Sequence, residues 1–119
     1  MTTTMINPVT GQMLLDIEPL ITPEHVAGQT IQERFEEFHR LNPWVLNALE
    51  EMTAGYVAAG RKRIGMKMLV EVLRWRHDTS TTGDPFRLNN IYTSRYVRRL
   101  VKAHPEWEPL FACRELKAA

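Results

Sequence analysis

Between Ile64 and His77 the chain places apolar side chains on almost every side of one helix. Ile64, Met66, Met68, Leu69, Val70, Val72, Leu73 and Trp75 leave only Lys67, Glu71 and Arg74 on a narrow polar strip. A helix that is apolar nearly all round is normally surrounded by other elements. The segment therefore predicts a helical bundle with itself at the centre.

The flanking sequence supplies the other helices. Thr30 and Glu33 form a capping-box pattern, and Ile31, Phe35 and Phe38 then recur at helical spacing, with Glu33, Glu36, Glu37 and Arg40 on the wet side. Asn42 is a favoured N-cap, and Pro43 fits a first helical position, so a second helix should run to about Ala59. It turns Val45, Leu46, Leu49, Met52 and Tyr56 inward, and Gly60 stops it. A fourth helix spans about Tyr92 to His104, capped by Thr93 or Asn90 and closed by Pro105, with Tyr96, Val97 and Leu100 inward. Trp44, Trp75 and Trp107 read as core anchors, the last inserting with Leu110 and Phe111.

The fold class that follows is mainly α, a compact bundle of about four helices over residues 30–119. It is preceded by an irregular arm, residues 1–29, in which Pro8, Gly11, Pro19, Pro23 and Gly28 interrupt any period while Met13, Leu14, Leu15 and Ile17 dock on the body. Residues 78–90 are turn-rich and too long for a strict helix-turn-helix. A divergent or winged arrangement, with a short hairpin in that stretch, is the form such a fold would take.

Charge is segregated. Residues 1–60 hold two basic and eight acidic residues, a net of −6, and residues 61–119 hold thirteen against six, a net of +7. At 100° per residue Arg95, Arg98, Arg99 and Lys102 share roughly one quadrant of the fourth helix. That face suits duplex DNA, whose major groove admits one helix, with Arg61, Lys62, Arg63 and Lys67 as a flanking phosphate clamp. Asn89, Asn90 and Ser94 could contact bases or phosphates, or cap the helix. The same cations could instead be met by Glu33, Glu36 and Glu37 of the first helix, or by a host protein.

Other chemistry is thinly represented. His25, His39, His77 and His104 are far apart and Cys113 stands alone, so no metal ligand set, intramolecular disulfide or other cofactor site is expected, which leaves a disulfide to a partner chain open. Glu71, Asp78 and Asp84 with His77 resemble a nuclease set only loosely, in a segment where turns need acids anyway. There is no phosphate-binding glycine loop, and the expectation is a non-enzyme. The start lacks a basic, apolar leader, and no stretch of about 18 apolar residues exists, which points to the cytoplasm.

Residues Gly65 to Trp75, then Thr82-Gly83-Asp84-Pro85-Phe86-Arg87-Leu88-Asn89-Asn90-Ile91-Tyr92-Thr93-Ser94-Arg95-Tyr96, resemble a family of small phage and prophage proteins. In those, a helix ending in Trp precedes a G-D-x-F-x-L-N-N loop and Y-T-S-R-Y. The likeness extends over about residues 31–116, including His104-Pro105-Glu106. It implies a phage or mobile-element origin, host-cell cytoplasm, and DNA-related or host-directed roles. It lends no catalytic residue.

Overall fold

The computed structural model describes residues 15–111, together with the backbone of β1 (Met5–Ile6) and β2 (Met13–Leu14). Four helices follow: α1 (Ile31–Leu41), α2 (Pro43–Ala58), α3 (Met66–Ser80) and α4 (Asn90–Ala103), then a 3₁₀ helix over Pro105–Phe111. They form a ring in which α1 packs on α2, α2 on α3, α3 on α4 and α4 back on α1, while the 3₁₀ helix packs on α4. Aliphatic and aromatic side chains share the core. Phe35 meets Tyr96 edge-on with ring centroids 4.9 Å apart, and Trp44 stacks on His77 at 5.9 Å.

Local chemistry explains the helix ends. The Glu33 amide donates to Thr30 Oγ1 and the Thr30 amide to Glu33 Oε1, so both halves of the capping box are made. At the end of α2 the Gly60 amide donates to Val57 and the Arg61 amide to Tyr56, with Gly60 at φ +84°. Only glycine adopts that left-handed turn without strain.

Asn42 starts α2 without capping it by its side chain. Its Oδ1 instead accepts from the Ile21 amide at 2.8 Å, and its Nδ2 donates to Ile21 O and Phe38 O. Pro43 has no amide to satisfy, and the Val45 amide at the third helical position donates to Asn42 O at 3.1 Å, so the Asn42 side chain is free for this clamp. The leading segment is fastened a second time where the Leu20 amide donates to His77 Nε2 at 3.1 Å. Leu15 and Ile17 pack against the core, as expected of the arm, and Leu20 joins them there. Met13 and Leu14 lie in β2, whose side chains are outside the described residues. The antiparallel pairing of Met5 with Leu14 and Ile6 with Met13 was not foreseen from sequence.

Three expectations are corrected. α3 is not surrounded: Met66, Leu69, Val70, Leu73 and His77 are buried, while Trp75 is 66% exposed, Met68 43% and Val72 40%. Trp75 is therefore not a core anchor, whereas Trp44 and Trp107 are. The stretch 81–89 contains no strand, so the arrangement is the plain bundle and not the winged variant. Helix bounds also move. α3 begins at Met66 and continues to Ser80, where the Thr81 amide still donates to His77 O and the Thr79 and Thr81 hydroxyls bond back to Trp75 O and His77 O. α4 begins two residues early because Asn89, not Asn90 or Thr93, takes the cap, its Oδ1 accepting from the Ile91 amide at 2.9 Å.

Candidate functional site

The cations of α4 share a groove. Arg95, Arg98, Arg99 and Lys102 line one wall of a depression of about 600 Å³ whose other wall is α1, with Gln32 and Glu36, over a floor that includes Phe35 and Leu46. The i, i+3, i+4, i+7 spacing puts these residues on one face, and burial of Tyr92, Tyr96, Val97 and Leu100 turns that face outward.

The groove is partly neutralised from within. Arg99 pairs with Glu36, and its guanidinium also lies 5.6 Å from the centre of the Phe35 ring. Arg95 donates through Nε to Gln32 Oε1 at 3.0 Å and through Nη1 to Ile91 O at 3.3 Å. The Arg99 hydrogen bond holds the Glu36 carboxyl below its usual range, so the pair persists as charges at neutral pH. The other two candidate carboxylates turn elsewhere: Glu33 serves the cap of α1, and Glu37 binds Arg40 at 2.6 Å. Arg98 and Lys102 stay exposed at the outer edge. Among the described residues, four cations therefore line the groove with one carboxylate.

The remaining sequence-nominated residues scatter. Arg61, Lys62 and Arg63 are exposed in the connection before α3 and line neither this groove nor the cleft beside it. Lys67 and Asn90 meet across a second cleft, on the other side of α4, with Arg74 and Arg87. Ser94 is half-buried and borders a third hollow with Lys67 and Val97, its hydroxyl reaching back to Ile91 O at 3.4 Å. Asn89 is committed to its cap. The single clamp expected from sequence is thus split into two basic hollows separated by α4. Arg74 and Arg87 were passed over because each looks like an ordinary surface cation in its own segment.

The loose nuclease set is structural. His77 is buried, and since its Nε2 accepts from the Leu20 amide, the ring proton sits on Nδ1 and is donated to Asp78 Oδ1 at 2.8 Å. Asp78 also accepts from the Phe86 amide, and the hydrogen bond from His77 leads in holding its carboxyl below the usual range. Glu71 is paired with Arg74 at 2.6 Å. Among the described residues no three of His, Cys, Asp and Glu gather as metal ligands; Cys113 lies outside them. Among the described residues, too, no helix is long and apolar enough to cross a membrane.

No family model, curated protein or solved structure matches the chain.

Proposed function

We propose that this chain is a non-enzymatic nucleic-acid-binding protein that takes duplex DNA on the outer face of α4. The supporting observation is the groove in which, among the described residues, Arg95, Arg98, Arg99 and Lys102 stand with one carboxylate, that of Glu36. Like charges repeated along one helix face repel mildly, an arrangement that a polyanion relieves. In this reading Arg98 and Lys102 contact phosphates first, Arg95 follows by leaving Gln32, and Arg99 stays with Glu36. The likeness of residues 65–96 to small phage proteins belongs to the same proposal, with a regulatory role in the host-cell cytoplasm.

Fluorescence anisotropy with random duplex DNA across a salt series tests it. Three working cations give a log–log salt slope of about −2.7, a loss of about fortyfold between 50 and 200 mM salt. Arg98→Glu with Lys102→Glu should abolish binding while melting like the parent, because both side chains lie outside the core. No binding at low salt sinks the reading.

A second reading, a protein-interaction module for a host or phage protein, draws support from a separate observation. Met68, Val72 and Trp75 fall within about 60° of one another on α3, opposite its buried face, and form an uncovered apolar stripe. Trp75→Ser should then abolish partner capture without affecting DNA binding.

A further inference from the structure

The second cleft differs in kind from the α4 groove. It lies between α3, the 81–89 connection and the start of α4, and holds about 340 Å³, at the small end of the range for small-molecule sites. Lys67 and Arg74 stand two helical turns apart along one edge of α3, and Arg87 meets them from the connection. The carboxylate of Glu71 stands between the first two, bound to Arg74 at 2.6 Å. From α4 the cleft receives Asn90 and Thr93, neither of them charged. Three cations against one carboxylate leave a net charge of +2 in a hollow with Val70 and Phe86 beneath.

We infer that this cleft binds a small phosphate monoester. The charge chooses the ligand. A monoester carries close to two negative charges at neutral pH, with its second pKa about 6, and so matches the cleft. A diester, the unit of a nucleic-acid backbone, carries one charge and leaves it half-neutralised. Arg87 supplies a planar fork suited to two phosphate oxygens, Lys67 a point charge, and the Asn90 amide a neutral donor. Arg74 stays with Glu71 and closes the α3 side. The apolar floor accommodates the ester's organic group and not a second phosphate. This site stands apart from the DNA reading, since none of its residues lines the α4 groove.

The test is an NMR titration of the ¹⁵N-labelled full chain with phenyl phosphate. Saturable shifts centred on Lys67, Arg87 and Asn90 are expected, and methyl phenyl phosphate, a diester that keeps the same aromatic group, should bind at least about tenfold more weakly, the difference one charge-assisted hydrogen bond makes. Affinity for phenyl phosphate should fall as pH drops through about 6, where the ligand takes up its second proton. Arg87→Glu should weaken binding by at least about tenfold with an unchanged fold, because Arg87 is exposed. Arg98→Glu with Lys102→Glu should leave it untouched, which separates failure here from failure of the DNA reading. Equal binding of the diester, an unaffected Arg87→Glu variant or no saturation at millimolar ligand would each overturn the assignment. A phosphoserine peptide binding more tightly than phenyl phosphate would overturn the small-molecule source.

Discussion

α3 and α4 are neighbours of almost equal length, fifteen and fourteen residues, and they treat water differently. α4 buries Tyr92, Tyr96, Val97 and Leu100 and gives the solvent Arg98 and Lys102. α3 buries Met66, Leu69, Val70 and Leu73 and gives the solvent Met68, Val72 and Trp75. Hydrophobic spacing records which side chains gain by leaving water; it does not say whether enough elements exist to cover them. In a ring of four helices each member touches two neighbours, so a helix apolar on all sides must leave one side bare.

The contrast can be broken from the inside. Leu73→Ala, at a fully buried position on the inner face of α3, should cost about 3 kcal/mol in urea unfolding, from lost transfer energy and the cavity left behind. A cost near zero would mean that the inner and outer faces have been assigned the wrong way round. His77→Leu should cost about 2 kcal/mol, because the Leu20 amide loses its acceptor and Asp78 its donor. The same variant should expose the leading segment to amide exchange before the rest of the chain.

At the far end of α4 the effect is smaller and depends on pH. His104 stacks on Trp107 at 3.9 Å, its Nε2 meets Glu50 at 2.6 Å and its Nδ1 lies 3.5 Å from Glu106. The Glu50 contact leads in raising its pKa above 6.5. Because the folded state holds this proton more tightly, the added stability is present in full below the ordinary histidine value and is lost as pH rises through the raised one. Parent and His104→Gln should therefore differ most in melting temperature on the acid side of 6.5 and converge only once the pH has passed the raised histidine value. A gap constant with pH would mean that the stacking, and not the proton, holds the 3₁₀ helix. The smallest effect sharpens the contrast most: Trp75→Ser should change stability by no more than about 0.5 kcal/mol, although tryptophan is the largest side chain on α3.

What the sequence made legible was local. The capping box at Thr30, the proline at the start of α2, the left-handed Gly60 and the stop before Pro105 are each decided within a few residues, and each is found where spacing placed it. The cationic face of α4 was legible for the same reason, since one helical period sets it. The pairing of Arg99 with Glu36 joins residues 63 apart, and periodicity left it as one of several partners. His77 was harder still. Its acceptor role is fixed by a backbone amide 57 residues away, which no side-chain pattern announces. The second cleft needed Arg87 carried to α3 by an irregular connection, and irregular segments have no period to read.

Among the described residues, the leading segment is joined to the body by its own main chain at Leu20 and Ile21, through one imidazole and one carboxamide, and by the aliphatic side chains of Leu15, Ile17 and Leu20. That makes it a bound peptide that happens to be tethered. If a protease cut within residues 22–29, the severed piece would stay in place for as long as its contacts outlast its regained freedom. Its departure rate would then report the barrier to breaking them together.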